Sequence, residues 1–162
     1  MIQINDIKEA DGINEAKKAY HEPMHTAEHI LNQTMIRMFG TERSITNHIE
    51  KKKSKCDYRF DRPLTDEEVK SLEDEVNRVI AMNLEVREQF INREEAEGRF
   101  SLSKLPAEAT GELRIVSVGE YDHCPCIGAH VSNTSEIGAI EIFSTDYDSA
   151  TGRLRLRYKL KL

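Results

Sequence analysis

PMHTAEHILNQTMIRMFG, residues 23–40, carries two spacing patterns on one segment. Pro23 suits a first helical turn, where its missing N–H is not needed, and Gly40 suits the position just past a helix end. Together they frame a helix of about four turns. Ala27, Ile30, Leu31, Thr34, Met35 and Met38 fall at the i, i+3, i+4, i+7, i+8, i+11 spacing of a single buried stripe. At about 100° per residue, His25 and His29 lie on nearly one line, roughly opposite the centre of that stripe. The expectation is a helix with a core face and a histidine face, with His21 ahead of Pro23 and outside it. One histidine on a helix reads as a solvated or hydrogen-bonded side chain. Two imidazoles one turn apart can converge on one ion, the usual way a helix offers two nitrogens to zinc.

Working outward, the chain has 162 residues, 38% of them hydrophobic, and no long Gly, Ser or Pro linker. That is enough for one domain with a real core and too little for two comfortable ones. No apolar run approaches the ~18 residues of a membrane span, and the opening MIQINDIKEADG lacks the apolar centre of a signal peptide. A cytoplasmic protein with no membrane partner is expected. Cys56, Cys124 and Cys126 make an odd count, and the last two are too close in sequence for a relaxed disulfide, so metal ligation is the better use. The net charge of −6 argues against broad, non-specific nucleic-acid affinity. Two local basic groups remain, Lys51, Lys52, Lys53 and Lys55, and the alternating basic residues of 153–162; for both, solvated charge is the ordinary use.

Along the chain, residues 1–20 are polar, with a short helix suggested at Glu9–Ala16 and no assignable role. Ser44–Asp61 reads as extended, and the alternation of Cys56, Tyr58 and Phe60 makes Cys56 a core thiol of a half-buried strand. Pro63 ends it. Thr65 with Glu68 forms a capping box for a helix whose apolar stripe is Val69, Leu72, Val76, Val79 and Ile80. Leu84–Ile91 is a strand, Asn92–Glu97 a short helix closed by Gly98, Phe100–Thr110 irregular, and Leu113–Tyr121 a strand by its β-branched content. The hairpin IGAIEIFSTDYD, turn at Asp148–Gly152, RLRLRYKLKL ends the pattern. The fold class is α+β, a largely antiparallel sheet packed with helices.

Between the last strand and the hairpin lies HCPCIGAH, residues 123–130. A Cys and a His three residues apart in a Gly-containing loop are a weak signal alone. Set against His25 and His29, Cys126 and His130 complete a set of the right types for tetrahedral zinc, and soft thiolate with imidazole favours zinc over magnesium or calcium.

HTAEH (25–29), followed by CIGAHVSNTSEIGAIEI (126–142), resembles the editing module shared by alanyl-tRNA synthetase and the free-standing alanyl-tRNA editing proteins, the AlaX family. The likeness extends over Met24–Leu162, including residues 56–86, CDYRFDRPLTDEEVKSLEDEVNRVIAMNLEV. The threonyl-tRNA synthetase editing domain carries the same two motifs, but HVSNTSEIGAIEI is more similar to the alanyl version. The resemblance implies the editing-domain fold over 24–162, after an N-terminal extension at 1–23. It implies zinc held by His25, His29, Cys126 and His130, with His25 and His29 catalytic through the bound metal. It further implies a trans-acting deacylase, a carboxylic ester hydrolase needing no ATP, that cleaves the ester of mischarged alanine-specific tRNA, most often seryl-tRNA. The family places its amino-acid-sorting contact in the segment of Ser44 and Thr46. For an acidic domain, tRNA must be met by a local patch, expected at Lys51, Lys52, Lys53 and Lys55. Family members often have two glycines and a threonine between the Cys and the His; here stand Ile127, Gly128 and Ala129, and Cys124 is additional.

Other readings stay open. The substrate can be a different mischarged tRNA. HTAEH also fits H-x-x-E-H, a zinc-peptidase motif in which Glu28 is the general base. That motif needs a distant acidic ligand and a larger chain and leaves CxxxH unused, so Glu28 is expected on the helix surface. The third reading is a zinc-stabilised tRNA-binding module without turnover. Four protein ligands describe a closed structural site, whereas a catalytic zinc keeps a position open.

Overall fold

The computed structural model describes residues 21–100 and 112–161. The helix suggested at Glu9–Ala16 and nearly all of the connection at Phe100–Thr110 lie outside them. In chain order the elements are α1 (Glu22–Phe39), β1 (Thr46–His48), β2 (Ser54–Arg59), α2 (Asp66–Ile80), β3 (Val86–Asn92), α3 (Arg93–Glu97), β4 (Glu112–Val118), β5 (Asp122–Pro125), a 3₁₀ turn (Thr134–Glu136), β6 (Ala139–Asp148) and β7 (Arg153–Lys161). The strands form two sheets, ordered β1-β2-β7-β6 and β3-β4-β5, and every pairing is antiparallel. The α+β class follows, with two sheets where the pattern alone suggested one.

Local chemistry sets the element ends. His21 precedes α1 with extended backbone, Pro23 sits in its first turn, and Gly40 closes it at φ 69°, a left-handed conformation that glycine adopts without a Cβ penalty. Thr65 Oγ1 accepts from Glu68 N at 3.1 Å while Glu68 Oε1 accepts from Thr65 N at 2.9 Å, so the capping box of α2 is closed in both directions. Asn92 caps α3 by accepting from Glu95 N at 2.7 Å.

The main core lies between α1, α2 and the four-stranded sheet. Ile30, Leu31, Met35, Leu72, Val76, Cys56, Tyr58, Leu154, Leu156 and Tyr158 have no accessible surface. Each large apolar side chain so buried contributes about 1.5–3 kcal/mol. Leu154, Leu156 and Tyr158 point inward from β7 as alternation requires. The Asn77 amide ties α2 to the sheet, donating to Ile140 O at 2.9 Å and accepting from Ile140 N at 2.8 Å.

Helix α1 departs from its expected two-faced form. Every residue from Met24 to Asn32 is buried, the histidines included, whereas Met38, assigned to the buried stripe, is 38% exposed. The cause is a second layer: Gln33 donates to Asp122 Oδ1 at 2.9 Å and His29 Nδ1 lies 3.4 Å from Asp122 Oδ2, which holds β5 against the histidine face. Only the last turn of α1 runs out into solvent.

Candidate metal centre and its pocket

His25 and His29 come from α1, Cys126 and His130 from the loop after β5, and one donor atom from each lies within 4.8 Å of all the others. About a hundred residues of chain separate the two halves. Cys126 Sγ stands 3.4 Å from His25 Nε2 and 3.5 Å from His130 Nε2. The rings of His25 and His130 stack with centroids 4.0 Å apart, and His29 meets both edge-on.

The outer nitrogens are held in the way ligand histidines require. His25 Nδ1 donates to Ala129 O at 3.0 Å, which leaves Nε2 with its lone pair facing the cluster. His130 Nδ1 is 2.9 Å from Thr26 Oγ1, and Thr26 Oγ1 also accepts from Val131 N at 3.2 Å. His29 Nδ1 stands 3.4 Å from Asp122 Oδ2, an ion-pair contact and not an aligned hydrogen bond. Asp122 is in turn gripped by Arg43, at 2.8 and 3.2 Å, and by Gln33. All four donors therefore point inward from fixed positions, and their chemistry, three imidazoles and a thiol, fits a borderline-soft divalent ion.

The electrostatics agree. Burial pushes the Cys126 thiol up, but the neighbouring His25 and His29 outweigh it and hold the group well below the ordinary thiol range. Burial opposes charge on His29, yet the Cys126 thiolate and Asp122 raise it well above an ordinary imidazole. Burial, with His25 and His29 nearby, depresses His130 to about 3. Asp122 is lowered by His29 and Arg43 despite its burial. Cys124 is different: burial raises its thiol to about 11.

A second buried cation fixes the Cys126–His130 loop. Arg114 on β4, 6% exposed, donates from Nη1 to Cys126 O at 3.1 Å and Gly128 O at 2.7 Å, and from Nε to Glu88 Oε2 at 2.6 Å. Cys126 N returns a hydrogen bond to Arg114 O at 3.2 Å.

His25, His29 and Cys126 of the cluster line a pocket of about 600 Å³, together with Arg43, Ser44, Asn47 and Arg59. Ser44 is buried, its hydroxyl donating to Asn47 Oδ1 at 2.6 Å and its N–H to Asn32 Oδ1 at 2.7 Å. Thr46 is not among the lining residues; it points to the outer sheet face, where it donates to Asp57 Oδ2 at 2.9 Å. Lys51, Lys52 and Lys53 are exposed on the β1–β2 connection and Lys55 is half-buried on β2, all away from the pocket wall. The basic residues of β7 have acidic partners, Asp57 for Arg153 and Arg155, Asp146 for Arg157 and Glu141 for Lys159.

Glu28 corrects the sequence reading. It is not a helix-surface residue: it is 5% exposed, lines the pocket, and presents Oε1 4.0 Å from His25 Nε2 and 3.9 Å from His29 Nε2. Asn32 holds its other oxygen. The position of Glu28 inside HTAEH was the only signal for it. Asp122, Arg43 and Arg114 had none, since each gains its meaning from a partner at least a dozen residues away.

Three histidines and a cysteine that could hold a metal ion, beside a pocket on an α+β frame, define a class of candidate metal-binding domain. Residues 113–155 match the family model described as the threonyl and alanyl tRNA synthetase second additional domain. The alanine–tRNA ligase of Ignicoccus hospitalis is 32% identical over 130 residues, covering 75% of this chain and 14% of that protein. Those of Saccharolobus islandicus and Staphylothermus marinus are 34% and 35% identical over 140 and 138 residues, each covering 83% of this chain and 15% of the relative. The chain belongs to the alanyl- and threonyl-tRNA synthetase editing-domain family, to which the AlaX proteins belong. It spans about 15% of the length of the relatives it matches.

Proposed function

We propose that this chain is a trans-acting aminoacyl-tRNA deacylase that hydrolyses seryl-tRNA mischarged on alanine-specific tRNA. The observation that carries the reading is the His25, His29, Cys126, His130 cluster set in the wall of a pocket large enough for an aminoacylated terminal nucleoside. Zinc bound there would polarise the ester carbonyl or lower the pKa of a water, and His25 and His29 would act through it. The reaction adds water across the ester: the acyl carbon gains the hydroxyl, the bond to the ribose oxygen breaks, and the ribose oxygen takes the proton. Free amino acid and intact tRNA result, with no need for ATP.

The chain's own groups prepare that step. Ser44 and Asn47, which line the same pocket, offer polar contacts suited to a side-chain hydroxyl on the amino acid. A pocket that hydrogen-bonds such a hydroxyl discriminates against the analogue lacking it. Arg59, exposed and part of the pocket lining, suits the terminal phosphate, and Lys51, Lys52, Lys53 and Lys55, outside the pocket lining, would meet phosphates farther along the tRNA. The domain is assigned to 24–162, with 1–23 as an extension.

The test is deacylation of seryl-, alanyl- and threonyl-tRNA by the metal-loaded protein. Cleavage of the seryl ester with the alanyl ester spared is expected. Equal rates on serine and alanine would sink the editing role, and tight tRNA binding without turnover would favour the binding-module reading.

A further inference from the structure

The role inferred for Glu28, a buried pocket residue outside the four-donor group, rests on the deacylase reading. Glu28 is a carboxylate in an almost solvent-free wall, and burying such a charge is costly without a compensating partner. Asn32 supplies a neutral donor to one oxygen, and the Asn32 carbonyl oxygen is locked by Ser44 N–H, so the carboxylate is fixed in orientation. Its Oε1 is aimed toward His25 and His29 at 4.0 and 3.9 Å, beyond hydrogen-bonding distance of either. Arg43, which lines the same pocket, donates its hydrogen bonds to Asp122 and reaches Glu28 only through the longer-range attraction of their charges.

In an aminoacyl ester the α-nitrogen lies only about 2.5 Å from the acyl carbon, by ordinary bond lengths and angle. An acyl carbon presented to the His25 and His29 nitrogens therefore brings the α-amine within reach of the carboxylate beside them. That amine is largely an ammonium near neutral pH, with a pKa of about 7.7–8.0 for an α-amino group. We propose that Glu28 is a substrate-recognising residue that takes the α-ammonium of the aminoacyl group. The pocket then reads both ends of the acyl unit, the ammonium at Glu28 and the side chain at Ser44 and Asn47, and it selects aminoacyl esters with a free amine over N-acylated ones.

The experiment uses two non-hydrolysable mimics, 3′-(L-seryl)amido-3′-deoxyadenosine and its N-acetyl derivative, titrated calorimetrically into the metal-loaded full chain. The wild type is expected to bind the free-amine mimic at least tenfold more tightly. In Glu28→Gln that ratio should fall below threefold, with metal content unchanged and the acetylated mimic bound as before. A wild type without preference, or a preference that survives Glu28→Gln, overturns the proposal. Loss of metal with both mimics weakened equally also overturns it, because the carboxylate would then serve the ion. Should Glu28→Gln not fold, Glu28→Asp keeps the charge and retracts it, and should weaken the free-amine mimic alone by at least threefold; equal effects on both refute the assignment. Deacylation of seryl-, alanyl- and threonyl-tRNA, run in parallel, separates the two readings. Turnover without amine preference sinks only the role of Glu28, whereas no turnover on any of them sinks the deacylase reading and this role with it.

Discussion

Replacing Arg114 by Met should loosen the metal centre without touching a ligand. Its guanidinium makes two hydrogen bonds to the carbonyls of Cys126 and Gly128 and one to Glu88, from a side chain 4% exposed. Methionine keeps much of the length and apolar bulk but leaves both carbonyls without their donor. A hydrogen bond to a charged group is worth about 1.5–3 kcal/mol, and the Glu88 pairing is discounted because that carboxylate is 24% exposed. Two such bonds set the loss at roughly 3–6 kcal/mol of folded stability, of which part reappears as misplacement of Cys126 and His130. Loss of an outer partner of a metal ligand costs about 10–100-fold in affinity. The assay is competition for zinc against a chromophoric chelator, with urea unfolding of the metal-free protein in parallel. Arg114→Lys, which can reach one carbonyl but not fork to Glu88 as well, should fall between. Zinc affinity unchanged within threefold in Arg114→Met, alongside a stability loss, would refute the claim that this residue positions the loop.

Other outcomes follow from single contacts. Elemental analysis is expected to find one zinc per chain; Cys126→Ser should abolish it, while Cys124→Ser, whose thiol burial holds near 11, should retain it, and the reverse result would move the ligand. Asp57 is depressed to about 2 despite its burial, chiefly by Arg155 and Thr46, so its contribution is present above its unfolded value near 3.8 and is lost as pH falls through about 2. Asp57→Asn should therefore flatten the acid-unfolding curve between roughly pH 4 and 2, and an unchanged acid midpoint would argue against it. Thr65→Ala, which opens the α2 capping box, should cost about 1 kcal/mol in urea unfolding. Neutralising Lys51, Lys52 and Lys53 together should lower deacylation at limiting tRNA and flatten its salt dependence; no change in either would place the tRNA elsewhere.

What the sequence disclosed and what it withheld divide along the range of the interactions. Helix α1, the α2 capping box, the terminal hairpin and the pairing of HxxxH with CxxxH all rest on spacings shorter than a dozen residues or on donor types, and those patterns are visible in one dimension. The stripe of α1 was read as one buried face because periodicity reports only where apolar residues lie. It cannot report that β5 covers the opposite face, and so it mistook Glu28 for a surface residue and Met38 for a core one. Asp122 and Arg114 were unreadable for the same reason. An aspartate ending a turn and an arginine in an apolar strand acquire roles only when His29 and the Cys126 loop arrive beside them.

The contacts behind the cluster also bear on how a four-donor group could belong to the proposed catalytic pocket and not only to a structural staple. The cluster's outer nitrogens are tied to Ala129 O, Thr26 and Asp122, and its loop to Arg114, so rigidity comes from the protein behind the site. The side facing the pocket is left to polar groups of other elements, Glu28 from α1 and Ser44 with Asn47 ahead of and within β1. On the proposed reading, support would come from Ala129, Thr26, Asp122 and Arg114, and recognition from Glu28, Ser44 and Asn47 of the pocket lining. A substitution behind the cluster should lower metal affinity and slow every ester alike, whereas one in front should change which ester is cleaved while the metal stays bound. Arg114→Met and Glu28→Gln are the pair that separates them: if both lose metal, or if both shift substrate preference, the site has no such division.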